Sequence, residues 1–185
     1  MHKDMLLFIF IIFMFFSSNK SVVYNDLSQN NDKISWSINR KLKWEDYKGI
    51  PDTIKSNTEA STYSEIEVVN SYFEDGIPKY VIQCNFIKSK SWTRSFDNYT
   101  LLHEQLHFDI YELFTRKIRK SIDSLNLLKT KKQDTYKYIF EKYGKKCNNY
   151  NDLYDSQVYF DSIKQQLWVD KISKKLNELK KYESL

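Results

Sequence analysis

Cysteine and histidine are both scarce in this sequence, which limits the chemistry that the chain can carry. Cys84 and Cys147 are the only two cysteines among 185 residues, and no second Cys or His lies at ligand spacing from either one. A zinc site built on cysteine thiolates is therefore not expected. In an oxidising compartment the two could instead close a long loop as a disulfide, an alternative that the sequence leaves open.

Blocks of like charge are also lacking. Lys and Arg total 29 against 24 Asp and Glu, a formal charge of +5, and the basic residues are spread along the whole chain. Short basic clusters, within 116–120 and 129–132, are typical of a solvated helix face. We expect no nucleic-acid partner, because binding one needs a concentrated basic face.

One long apolar run is present, at the N-terminus. It extends from Met5 to Phe16, follows Lys3 and is followed by Ser17 and Ser18. This order is typical of a secretory signal, and the run is short for a membrane span. We predict a signal peptide, or an uncleaved anchor, over residues 1–18. The protein is then exported, periplasmic or secreted, and it contacts a membrane only through this segment.

The remaining residues have the composition of a folded protein. Residues 19–33 are polar and are expected to be flexible, while residues 34–185 are long enough for one domain with a core. Alternating patterns over 60–70 and 79–88, separated by an Asp75-Gly76 turn, predict an antiparallel hairpin. We expect the edge of its second strand to accept an extended peptide.

Three helices are predicted after the hairpin, where the hydrophobic period changes from two to three or four. The first begins at a cap, Asp97 or Asn98, and continues to about Leu125. The others are predicted over Lys131–Tyr143, with Gly144 as the C-cap, and from about Ser156 to Leu179, with a loop over Asn148–Asp152 between them. The fold class is therefore α+β.

The first helix has two faces at 100° intervals. The apolar face carries Leu102, Leu106, Ile110, Leu113, Phe114 and Ile118. The opposite, polar face carries Gln105, Asp109, Glu112, Arg116 and Arg119. His103 and His107 lie in the middle of the apolar face.

The motif that carries chemistry is His103-Glu104-Gln105-Leu106-His107 on this helix. Histidines at i and i+4 point the same way, so both can bind one tetrahedral zinc ion, Zn2+. Glu104 can then reach a water on the metal and act as the general base of a hydrolase. The alternative is that two core histidines happen to lie one turn apart. Two observations weigh against this coincidence. His103 and His107 are the only histidines beyond residue 18, and burying an imidazole without a partner is costly.

The third zinc ligand has to come from another element. Asp109 and Glu112 are rejected because they project from the opposite side of the helix, and Tyr111 is on the right face but is more often a core residue. We predict Asp155, with Asp161 and Gln157 as the next candidates, from the segment that opens the last helix. A plain helix N-cap is the alternative role for Asp155.

Four short motifs resemble, in order, those of bacterial domain-of-unknown-function family 922, described as predicted secreted zinc-dependent proteases. They are 44–49 (Trp-Glu-Asp-Tyr-Lys-Gly), Ser91-Trp92, 101–110 around the histidines, and Tyr154-Asp155. The resemblance implies a zincin-like fold, with a small antiparallel sheet packed on a long helix plus two C-terminal helices. It also implies a peptidase acting on a peptide or protein substrate in the cell envelope or outside the cell.

The chain departs from the family pattern at four positions. Leu106 stands where the family usually has Gly, and Gln157, Val158 and Phe160 stand where the pattern has Glu, Thr and His. If that Glu or His is the family's ligand, either Asp155 replaces it or the protein is a degenerate relative. The alternative function is therefore a pseudoenzyme that serves as a cell-envelope binding module.

Overall fold

The computed structural model describes residues 29–51, 58–158 and 160–183. The predicted signal peptide or anchor, 1–18, lies outside these residues, as does most of the segment 19–33. The last five residues of that segment have regular structure, since a short helix α1 covers Gln29–Asp32 and strand β1 covers Lys33–Ser35. No helix within the described ranges has the length and apolar character that crossing a membrane requires.

The predicted hairpin is confirmed. Strands β3 (Ser64–Glu74) and β4 (Ile77–Ile87) pair antiparallel, and β1 pairs with the other edge of β4, giving the order β1-β4-β3. Asp75 and Gly76 form the turn with φ of +52° and +76°, a left-handed conformation that favours glycine at the second position. A second, two-stranded sheet pairs β2 (Ala60–Ser61) with β5 (Trp92–Thr93).

The long helix after the sheet is also confirmed. Helix α2 covers Asn98–Leu127 and packs against β3 and β4 on one side and against the two helices that follow on the other. It is therefore the centre of the molecule rather than a surface helix. The prediction that its polar face is exposed to solvent is wrong, because Gln105, Asp109, Glu112 and Arg116 are all buried.

The C-terminal helices differ from the predicted ones. Helix α3 covers Gln133–Val158 without interruption, so Gly144 is not a C-cap and Asn148–Asp152 is not a loop. Helix α4 covers Ser162–Glu178, which places the break between the helices after Val158. Three 3-10 turns complete the described elements, at Trp44–Asp46, Lys88–Lys90 and Lys180–Tyr182.

The two cysteines are free thiols in the core. Cys84 lies on β4 and Cys147 on α3, and both are buried. Burial raises the pKa of each thiol, which keeps both protonated and unreactive near neutral pH. They contribute to packing as small apolar side chains.

Candidate metal centre

The position of the two histidines follows from where α2 begins. The Asp97 carboxylate accepts a hydrogen bond from the Thr100 backbone N–H at 2.8 Å, so it caps the helix as predicted. The helix then presents His103 and His107 one turn apart on the side that faces α3. Their ring centroids are 4.8 Å apart.

Three side-chain donor atoms from two helices converge at this point. Nε2 of His103 and Nε2 of His107 are 3.1 Å apart. Asp155 Oδ1 lies 3.2 Å from the first and 2.9 Å from the second. Within the described ranges, these residues form the one group of three or more His, Cys, Asp or Glu side chains arranged closely enough to hold a metal ion.

The separations suit a small divalent cation. Ligand atoms about 2.0 to 2.2 Å from a tetrahedral zinc ion lie roughly 3.3 to 3.6 Å from one another. The observed separations of 2.9, 3.1 and 3.2 Å are slightly shorter. Two imidazoles and one carboxylate are also a donor set that zinc uses in hydrolases. The residues present therefore fit zinc in number, type and spacing.

The ring of His107 is fixed by a residue that the sequence analysis missed, Asn151. Its amide Nδ2 donates to the Cys147 carbonyl oxygen at 2.9 Å, which leaves Oδ1 to accept from His107 Nδ1 at 2.7 Å. A proton on Nδ1 means that the Nε2 lone pair of His107 is available at the point of convergence. This is the arrangement in which an outer residue orients a metal-binding imidazole.

His103 is held by an aromatic contact. Its ring stacks on Tyr154, with centroids 4.6 Å apart and an interplanar angle of 23°, and Tyr154 meets His107 edge-on at 5.1 Å. Tyr154 is fully buried and forms the wall behind both imidazoles. The Tyr154-Asp155 pair thus contributes one positioning ring and one donor atom.

Glu104 lies beside the donor atoms in an unusual state for a carboxylate. Its side chain is only 4% exposed, and Oε2 has no hydrogen-bond partner among the described residues. Burying such an oxygen without a partner costs free energy. This cost in stability is accounted for if the oxygen accepts a hydrogen bond or a proton from a molecule bound in the cleft.

The carboxylates give the centre a strongly negative electrostatic potential. Burial by itself would lower the pKa of His107, but the charges of Asp155 and Glu104 outweigh it and raise that pKa to about 9. Burial opposes ionisation of Asp155 as well, yet the two imidazoles hold its pKa well below the usual range. For Asp152, burial and then the neighbouring charge of Asp155 raise the pKa. The site therefore favours positive charge.

Asp155 is brought to the centre, but from a different element than predicted. It lies in the last turn of α3 and not at the start of the final helix. The N-cap role considered for it belongs to Asp161, which accepts from the Lys164 backbone N–H at 3.0 Å. Gln157, the other reserve candidate, accepts from the Trp168 indole at 3.1 Å.

The rejected carboxylates on α2 are engaged elsewhere. Asp109 accepts from the Trp36 indole at 2.7 Å and from Gln105 at 2.8 Å. Glu112 pairs with Arg116 and Arg119 at 2.9 and 3.0 Å. Both point away from the histidines, as predicted, but into the protein rather than into solvent.

The centre opens into a cleft of about 630 Å³. One wall is the segment 58–62, which contains β2; the other wall is α3, and α2 forms the floor. The prediction that the strand over 79–88 offers a peptide-binding edge is wrong, because β4 is the middle strand of its sheet. Part of the edge that β1 does not cover is also occupied. There the Ile82 carbonyl accepts a hydrogen bond from the Arg119 side chain, and the Cys84 carbonyl accepts one from the Trp36 backbone N–H.

Comparison of the chain with family models, curated proteins and solved structures gave no match. The resemblance to family 922 consequently depends on the four motifs themselves. The structure brings two of them into contact, because the His103–His107 segment and Tyr154-Asp155 meet at the centre.

Proposed function

We propose that this protein is a zinc-dependent hydrolase that cleaves peptide bonds. The observation that carries the proposal is the convergence of three donor atoms within 3.2 Å of one another beside a buried carboxylate oxygen that has no partner among the described residues. A structural metal site has no use for such a carboxylate, whereas a hydrolytic site needs a base there.

Each residue has a separate task in this proposal. His103, His107 and Asp155 would hold the ion, and Asn151 and Tyr154 keep the two rings in place. Zinc bound by such ligands supplies a Lewis acid that polarises a carbonyl and makes water acidic. Glu104 accepts a proton on Oε2 and later donates it to the leaving amine.

The shape of the cleft favours an extended peptide as the substrate. β2 is one strand of a two-stranded sheet, so among the described residues only its β5 edge is paired. The segment 58–62 that contains it faces the histidines across the cleft. A peptide adding to that edge would lie over the centre with its backbone hydrogen-bonded.

The proposal also includes the zincin-like fold, membership of family 922 and an exported location. The order of the four motifs supports the first two, and the apolar run from Met5 to Phe16 supports the third. No nucleic-acid partner is included, because the cleft lining contains no Lys or Arg among the described residues.

Metal content is the first test. Protein purified without chelator should contain close to one zinc per chain by elemental analysis, and His103→Ala or His107→Ala should abolish binding. Absence of any divalent metal from the wild-type protein, together with failure to take up added zinc, would refute the proposal.

The second test separates catalysis from binding. Glu104→Gln should keep the zinc and the fold but lose peptide hydrolysis, because the carboxylate moves a proton and is not a ligand. Glu178→Gln, a change of the same kind at an exposed residue on α4, is the control that should keep both.

The alternative function is a binding module without catalysis. It is favoured by Gln157 and Phe160 standing where the family pattern has Glu and His. A zinc-loaded wild-type protein that hydrolyses no peptide in a mixed peptide library would support this alternative over the enzyme. Loss of zinc from Glu104→Gln would instead show that Glu104 has been given the wrong role.

A further inference from the structure

The cleft has a charge opposite to that of the chain as a whole. The chain carries a formal charge of +5, with 29 basic and 24 acidic residues. The described lining of the cleft contains four carboxylates and no lysine or arginine; the carboxylates are Glu59, Glu104, Asp152 and Asp155. A bound divalent cation would balance two of them, leaving the lining with a formal charge of −2.

Two of these carboxylates have no part in the proposed metal chemistry. Glu59 lies on the wall formed by 58–62 and Asp152 on the α3 wall, one turn before Asp155, so each wall of the cleft contributes one of them. Both are exposed, and neither forms an ion pair with a described residue. Carboxylates without an ion pair to a described residue also occur outside the cleft, at Glu45 and Glu178 for example, so it is their place on the two walls that gives Glu59 and Asp152 significance.

A separate observation indicates that the cleft receives a ligand. The Tyr111 side chain lines it and is only 1% exposed, yet its hydroxyl has no hydrogen-bond partner among the described residues. Phe160 also lines the cleft and is 75% exposed, so it provides apolar surface on which the alkyl part of a long side chain can pack. The cleft thus combines apolar surface, unused polar capacity and excess negative charge.

We infer that the cleft selects peptides that carry a basic side chain next to the scissile bond, with its cation between Glu59 and Asp152. This inference rests on the proposed function and names its substrate class. A lysine or arginine is attracted by both walls, whereas the positive chain as a whole repels it. The preference therefore has to come from the cleft itself.

Binding of three acetylated and amidated heptapeptides tests the inference. They differ only at the central residue, which is Lys, Gln or Glu, and calorimetry is done at low salt on the zinc-loaded Glu104→Gln variant, which the proposed function expects to bind peptides without cleaving them. The surface-charge variants are made in the same background. We expect the Lys peptide to bind about tenfold more tightly than the Gln peptide, with the advantage shrinking as salt is added. A fourth peptide, with Gln at the centre and a free N-terminus, distinguishes a side-chain cation from a terminal amine.

The double variant Glu59→Gln/Asp152→Asn should remove most of the Lys advantage while its zinc content stays that of the wild type. The matched control, Glu178→Gln/Asp170→Asn, removes the same charge from α4 and should keep the advantage. Equal binding of the Lys and Gln peptides to zinc-loaded protein would overturn the inference alone. Absence of zinc from the protein would overturn the proposed function, and the peptide comparison still decides the charge preference. A preference for the free N-terminus over Lys would overturn the side-chain assignment.

Discussion

From Glu112 onward α2 buries its charges in pairs, whereas the part of its N-terminal half around His103 and His107 crowds donor atoms together and leaves Glu104 Oε2 without a partner among the described residues. Glu112 and Arg116 are 1% and 2% exposed and lie 2.9 Å apart. Arg116 also donates to the Leu176 carbonyl at 2.7 Å and pairs with Glu183 at 3.1 Å, which ties α4 and the chain end to α2. Every carboxylate in this network has a cationic partner, although Arg116 Nη2, 3.1 Å from Glu183, has no hydrogen bond among the described residues.

Around His103 and His107 the pattern is reversed. Donor atoms of three side chains face one another, and the neighbouring Glu104 oxygen has no partner among the described residues. Glu104 is 4% exposed and Glu112 is 1% exposed, so burial alone does not separate a carboxylate with a structural role from one with a functional role. What separates them is whether the polar groups are satisfied within the protein.

The largest expected effect comes from breaking the paired network. Arg116→Met should lower the free energy of unfolding by about 3 to 5 kcal/mol, because it leaves Glu112 buried with one partner fewer. Urea denaturation followed by circular dichroism measures the change. In metal-free protein, where no bound ion adds to stability, His103→Ala should cost only about 1 kcal/mol. Equal losses for the two variants would contradict the distinction between the halves.

The next effect concerns Asp155, the donor contributed by α3. Asp155→Ala should weaken zinc binding tenfold or more, on the order expected for losing a contact at a metal site. Competition titration against a chelator measures the affinity. Asp109→Asn is the control, since its carboxylate is bonded to Trp36 and Gln105 instead, and it should leave the affinity nearly unchanged. Wild-type affinity in Asp155→Ala would show that Asp155 is not a ligand.

A smaller effect is expected at Asn151, which holds a ring without reaching the ion. Asn151→Ala should weaken zinc binding about tenfold, and Asn151→Asp, which keeps an acceptor for His107 Nδ1, should restore most of the loss. Nitrogen NMR of the metal-free protein gives a second readout, since His107 should carry its proton on Nδ1 when neutral. An unchanged tautomer in Asn151→Ala would contradict the positioning role.

The sequence predicted the hairpin and α2 well because their signals are local. Alternation, an Asp-Gly turn and an Asp97 cap act within a few residues of one another. His103, Glu104 and His107 could be chosen as candidates for the same reason, since a single helix fixes their spacing. The burial of the polar face of α2 was missed because it depends on Trp36 and Leu42 at one end of the face and on α4 and Glu183 at the other, all far away in sequence.

Helix α3 was divided in the prediction because Gly144 and the Asn-rich stretch have low helix propensity. Tertiary packing overrides that preference. A buried stripe with alternating spacings of four and three residues continues through the stretch: Phe140, Gly144, Cys147, Asn151, Tyr154 and Val158. This spacing is visible in the sequence and would have placed Asn151 one turn before Asp155, and so beside the histidines.

The smallest expected effect tests whether the metal centre depends on the start of its own helix or on packing alone. Asp97 is exposed and caps α2, and hydrogen bonds from Ser95 and then Thr100 lower its pKa to about 2. Asp97→Ala should cost about 1 kcal/mol of stability and leave zinc affinity unchanged, because Asn151 and Tyr154 position the rings.

Asp97→Asn keeps a capping oxygen but cannot titrate. A folded-state pKa below the unfolded value of about 3.9 means that the ionised cap stabilises the protein above that pH and loses this contribution as pH falls towards about 2. The stability difference between wild type and Asp97→Asn, measured by urea denaturation at several pH values, should therefore shrink over this interval. A constant difference would show that the cap acts through its shape, and a change in zinc affinity would show that the site-bearing half of α2 depends on its first turn.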